Sequence, residues 1–198
     1  MSAAPPRGHD IGGMILIVAS VLFAASCASP PLSLYTLESS DTPAQTARFT
    51  SKAIVIEIRR VVIPDFLDTQ DILVRDGNTL QRSTHGRWAS RLSLGITRYL
   101  AGLLAARRPD ALITDQPQLE APSYRILVVI STLDVTSPGI ATLEADWTIV
   151  PRNPTLSTRR RRGRFTASGP VASDQDVVTL LQAVLTQLAD AIDISSLR

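Results

Sequence analysis

The sequence predicts a single α/β domain, a mixed and largely antiparallel sheet packed with two main helices. Three observations carry that prediction. Tyr124–Val135 and Ala141–Ile149 are long apolar stretches on either side of Ser137-Pro138-Gly139, the pattern of a hairpin. Leu92, Ile96, Tyr99, Leu100, Leu103 and Leu104 recur at helical spacing, as do Val177, Leu180, Leu181, Val184, Leu188 and Ile192. Finally, 44% of the 198 residues are hydrophobic, enough for one core and too many for a disordered chain.

The N-terminal stretch stands apart. Ile11–Ser26 is uncharged and mostly apolar, somewhat short of the ~20 residues a membrane-spanning helix needs. It ends in Ala24-Ala25-Ser26, directly before Cys27. An apolar run followed by small residues is the pattern of a secretory signal with a cleavage point, here covering residues 1–26. A signal with a chance cysteine and an uncleaved anchor are the competing readings. Because Cys27 is the only cysteine, no disulfide forms within the chain and stability must come from packing. Residues 27–52 are rich in Ser, Thr, Pro and Ala and read as a tether, with one short alternating piece at Leu32–Leu37. The domain proper is expected over residues 53–198.

Within it, Ala53–Ile58 is a β-branched strand with Ile54, Ile56 and Ile58 on one face. The apolar phase slips at Arg59-Arg60 and resumes with Val61 and Ile63, which predicts a bulge. Pro64 ends the strand for want of an N–H. Ile72–Arg75 and Thr79–Arg82 form a hairpin around Asp76-Gly77-Asn78, with Gly in a left-handed position. The first helix is expected from Trp88 to Arg108, stopped by Pro109, with a minor strand at Ala111–Thr114. Ile126–Ile130 is apolar on both faces, which predicts a central strand covered on both sides. Its partner alternates Ala141, Leu143, Ala145, Trp147 and Ile149 with polar residues, so one of its faces is wet. A strand over Arg159–Ser168 follows, and then the second helix from Ser173 to Leu197. Ser173 caps that helix, and Asp174 and Asp176 lie in its first turn.

Several of these residues form an ordered series. Tyr35-Thr36-Leu37 is followed by Ile63-Pro64-Asp65-Phe66-Leu67-Asp68 leading into Ile72–Arg75, then Arg87-Trp88-Ala89, Tyr124-Arg125 and Leu143-Glu144-Ala145-Asp146-Trp147. The series resembles the ABC-type transport auxiliary lipoproteins of the PqiC/YmbA type, from about Leu34 to the C-terminus. Thr69-Gln70-Asp71 stands where that family commonly has a glutamine and a proline. The resemblance implies a three-layer, anticodon-binding-domain-like fold and a non-enzymatic role beside an MCE-domain protein in an envelope system that moves (phospho)lipids. It also implies assembly, in some members, as a homo-oligomeric ring. Cys27 resembles the lipobox cysteine of bacterial lipoproteins, with Ala24 in place of the usual Leu. That implies covalent diacylglycerol and N-acyl (palmitate-type) lipid on Cys27 and no other cofactor. Ala28, where Asp would retain the protein in the inner membrane, implies export to the outer membrane with the body facing the periplasm. A periplasmic carrier holding lipid in its own pocket is the alternative, and it requires an open cavity between sheet and helices.

Chemistry offers few competing sites. His85 is the only histidine after Cys27, and no Gly-x-Ser-x-Gly elbow, phosphate loop or metal-spaced cluster occurs. An esterase would require a serine, His85 and an acid converging in one cleft; otherwise His85 is an exposed loop residue. Asp65 and Asp68 are turn residues suited to accept backbone N–H groups. Candidate partner contacts are Pro64, Asp65, Phe66, Leu67, Arg87 and Trp88, since Trp and Arg are enriched at interface centres. Arg160, Arg162 and Arg164 would line one face of a strand, where guanidinium groups suit phosphate headgroups or an acidic partner. The plainer reading is a solvated edge strand whose charges block aggregation. A formal net charge of +2 is too small to argue for nucleic acid.

Overall fold

Among the described residues, eight strands and two helices build the domain. They are β1 (Ser33–Tyr35), β2 (Val55–Ile58), β3 (Asp71–Asp76), β4 (Thr79–Trp88), α1 (Leu92–Arg107), β5 (Leu112–Thr114), β6 (Tyr124–Val135), β7 (Ile140–Pro151), β8 (Arg159–Ser168) and α2 (Asp174–Ala191). The computed structural model describes residues 31–38 and 53–198, so the signal segment expected over residues 1–26 and Cys27 lie outside the described residues. Two helices packed on mixed sheets form a single α/β domain, and Leu32–Arg198 is one unit.

The strands divide between two sheets rather than entering one. The larger has the order β5-β2-β6-β7-β8 and the smaller β1-β4-β3. Antiparallel pairing of β6 with β7 and of β7 with β8 dominates, while β2 runs parallel to both β5 and β6. The bulge at the phase slip is present. The Arg59 N–H donates to the Ile126 carbonyl and the Val62 N–H to the Val128 carbonyl, so three steps on one side oppose two on the other. Val61, turned inward by the slip, donates its N–H to Thr97 Oγ1 at 2.9 Å, which satisfies a buried donor that the ladder releases. Further along, β3 takes over beside β6: Arg75 bridges Thr136, and Arg75 pairs with Asp134 at 2.9 Å.

Both helices lie against the same face of the larger sheet. Ile126, Val128, Ile130, Leu143, Ala145 and Trp147 point toward Ile96, Leu100, Leu104, Val184, Leu185 and Leu188, all buried. The smaller sheet meets the N-terminal ends of the helix pair. Leu37 lies near Gly95, and its carbonyl accepts from Gln182 Nε2 at 2.9 Å. The capping box of α2 is complete: Ser173 Oγ accepts from the Asp176 N–H, and Asp176 Oδ2 accepts from the Ser173 N–H.

Four expectations are corrected. Trp88 ends β4 instead of opening α1, and it is buried, because the chain needs three more residues to turn before Leu92. His85 lies in β4 and not in a loop. The strand β6 is covered on one face only, since no element packs on Leu127 and Val129 among the described residues. The second helix stops at Ala191, and the tail that follows is held by Arg108, whose Nη1 donates to the Ile194 and Leu197 carbonyls.

The start of α1 is capped from a distance. Arg91, at the N-cap position, supplies no side-chain bond, and Asp68 fills the gap: its Oδ1 accepts the Ser93 N–H at 3.2 Å. Asp68 Oδ2 also meets Arg60 at 3.0 Å and Arg91 at 3.5 Å. Burial alone would raise the Asp68 pKa, but the Ser93 bonds and the two guanidinium charges together hold it below the ordinary carboxylate value. Such a group stabilises the fold above its unfolded pKa, and that contribution disappears as pH falls through the folded one. Asp68→Asn is therefore expected to lower stability by about 1 kcal/mol at neutral pH. In urea titrations the gap to wild type should close as the pH drops below ~4. At the β6–β7 turn, Gly139 has φ +86°, and a Cβ there would overlap the Gly169 carbonyl oxygen. Backbone cannot yield as a side-chain tip can, so Gly139→Ala should destabilise by about 2 kcal/mol or more in the same assay.

Candidate docking surface

The uncovered face of the larger sheet has an apolar centre. Alternation along β6 sends Arg125, Leu127, Val129 and Ser131 outward. The bulge after β2 places Val62 beside Val129, also facing out. Val62, Leu127 and Val129 are 57%, 42% and 45% exposed, unusual for adjacent aliphatic side chains on one sheet face.

Charged pairs border this strip on both sides. Toward β2, Glu57 Oε2 accepts from Arg125 Nε at 3.0 Å, and Arg59 approaches Glu57 at 3.4 Å. Toward β8, Arg162 makes two parallel hydrogen bonds to Asp146 at 2.8 and 2.9 Å, and Arg164 meets Glu144 at 3.3 Å. The Arg162 bonds hold the Asp146 carboxyl below its ordinary range. Arg160 lies opposite Thr148 and has no ion pair among the described residues. An apolar centre inside a rim of satisfied charges is the anatomy of a protein-binding surface.

The arginine run occupies the edge strand of the sheet, as the plainer reading holds. Arg160, Arg162 and Arg164 do share the outer face, but two of the three are already engaged by acids on β7. The run is thus compensated within the chain rather than offered whole to an anion.

The other candidates scatter. Phe66 is 54% exposed and lies four residues beyond Val62 in a single 3-10 turn, Asp65–Leu67. Asp65 beside it is exposed, Pro64 is half-buried, and Leu67 is buried in the core. Arg87 is held through Nε by Asp71 at 3.1 Å and through Nη1 by the carbonyls of Ser83 and Gly86. Trp88 is only 3% exposed, so its ring is a core element and not a contact. Val62, Leu127 and Val129 were missed by sequence reading, because an apolar run on both faces of β6 signals double coverage. Only the side on which α1 packs decides otherwise.

One open cleft of about 630 Å³ brings Ser83, His85 and Asp174 together, the three residue types an esterase needs. Their geometry is structural. Ser83 Oγ donates to Asp174 Oδ2 at 2.9 Å and accepts the His85 and Gly86 N–H groups, while the His85 ring bonds Thr84. The imidazole that should abstract the Ser83 proton does not address it, and the serine closes a bulge in β4 instead.

Comparison with known proteins agrees with this architecture. A crystal structure of an uncharacterized protein superposes with a TM-score of 0.66 at 15% identity, over 82% of this chain and 96% of that one. A Xanthomonas campestris protein of the DUF330 family superposes with a TM-score of 0.59 at 14% identity, over 81% of this chain and 91% of that one. These likenesses concern the fold. No curated protein matches significantly. The family model described as ABC-type transport auxiliary lipoprotein component matches residues 35–193, and the chain belongs to that family.

Proposed function

We propose that this protein is a non-enzymatic, outer-membrane lipoprotein that docks on an MCE-domain protein and anchors that lipid conduit in the cell envelope. The observation that carries the reading is the bare sheet face at Val62, Leu127 and Val129, on a chain whose family serves transport systems as an auxiliary part. In this reading Cys27 bears the lipid. Each buried CH₂ contributes ~0.8 kcal/mol, so two or more acyl chains hold the protein at the bilayer without a spanning helix. The body faces the periplasm, and several copies assemble around the conduit.

Packing favours docking over a lipid carrier. The narrower hollows are small: about 100 Å³ beside Tyr35, Leu37, Trp88 and Gly95, and about 20 Å³ beside Leu67, Leu73, Leu133 and Leu181. Ligand pockets begin at roughly 300 Å³. The larger hollows among the described residues are open surface grooves, such as that beside Tyr99, Gly102 and Leu103 on α1.

Affinity capture from envelope extracts tests the proposal. The full chain should retain an MCE-domain protein. Leu127→Arg, whose stem can lie along the sheet while its charge reaches water, should lose it, and a cooperative melt checks that the fold survives. Undiminished capture by that variant, or no MCE-domain protein on the wild type, refutes the reading. Cys27→Ser should accumulate outside the membrane fraction or uncleaved, and unchanged maturation and fractionation would refute lipidation.

A further inference from the structure

The tether expected over residues 27–52 includes β1, which lies within the fold, so the chain enters the domain much earlier. Leu32 follows Cys27 by five residues. At ~3.5 Å per residue that reach is at most about 18 Å. A domain of this length is roughly 40 Å across, so a spacer this short cannot let it tumble freely above a bilayer. The entry point is firmly attached to the body. β1 pairs in parallel with β4, the Ala89 N–H donates to the Tyr35 carbonyl at 2.8 Å, and Leu37 is 2% exposed.

We infer that the outward side of β1, Leu32 and Leu34, rests on the bilayer that carries the lipid anchor. The inference relies on lipidation of Cys27 and adds to it a fixed face for the body. Leu32 and Leu34 are 56% and 65% exposed, and alternation turns them away from the side on which Tyr35 and Leu37 are packed. β1 is an edge strand, so nothing in its own sheet shields them. Leucine side chains at the headgroup boundary bury apolar surface where the acyl anchor already lies. A cation is at hand for anionic headgroups: Leu34 is in register with Arg87, and Arg87 with Asp71, which Arg82 reaches only at 3.9 Å while its own side chain is 63% exposed. The occupant follows from the five-residue separation of Leu32 from Cys27, which keeps this strand within about 18 Å of the lipid anchor.

Fluorescence depth measurement on the full, lipidated protein tests this. In Leu34→Cys the lipid occupies the Cys27 sulfur, which leaves one free thiol for an environment-sensitive dye. The protein is reconstituted in vesicles of phosphatidylethanolamine and phosphatidylglycerol. The dye at position 34 should emit blue-shifted light and be quenched by phospholipids carrying a nitroxide near the headgroup. Leu156→Cys, likewise exposed, is the control. It follows Pro151, which pairs with Tyr124 at one end of β6, whereas the smaller sheet joins β6 at Thr136, about 40 Å away along the strand. That dye should stay unquenched. Intact mass separates lipidation from membrane contact. A bare Cys27 thiol removes the anchor and this inference together. A lipidated protein whose position 34 emits as in water overturns the membrane contact alone.

Discussion

One constraint organises the molecule: the larger sheet has two faces, and both helices lie on the same one. The β6–β7 ladder, in which every second residue is buried against α1 and α2, holds the sheet and the helix pair together. A second layer on the far side would bury Val62, Leu127 and Val129 and leave a closed, featureless body. Because none is present among the described residues, the sheet keeps an apolar strip at its surface. The ion pairs Glu57–Arg125, Asp146–Arg162 and Glu144–Arg164 border that strip with charge. Such pairs contribute little to stability. Their effect is on the surface itself, since they confine the apolar area to a stripe.

The polar groups that resemble catalytic machinery are occupied by the fold. Ser83 closes a bulge in β4 and ties it to the first turn of α2 through Asp174. Asp68 stands in for the missing cap of α1, and Arg108 gathers the carbonyls of the C-terminal tail. Each satisfies backbone or charge that would otherwise be stranded near the core.

Much of this was legible in the residues. The β6–β7 hairpin, the bulge at Arg59-Arg60, the Gly77 turn and the Ser173 cap are local features, and local signals suffice for them. What escaped were facts of tertiary placement. Trp88 and the residues before it alternate weakly and border a helix, so the end of β4 carries the local signal of a helix start. Ile126–Ile130 carries an apolar run that a doubly covered strand would share, and no local pattern says which layer is missing. The capping role of Asp68 needs a partner 25 residues away in sequence. The alternation at Leu32–Leu37 signals β1 locally, but not that this strand pairs with β4 and so belongs to the body instead of the tether.

The central claim is that the uncovered sheet face, not the helix side, meets the conduit. Site-specific photocrosslinking in living cells tests it directly. A photoreactive residue at position 127 should yield an adduct with an MCE-domain protein, and one at Gly102 on the outer side of α1 should not. Adducts from position 102 with none from 127 would contradict the account, as would adducts at 127 that contain only second copies of this chain.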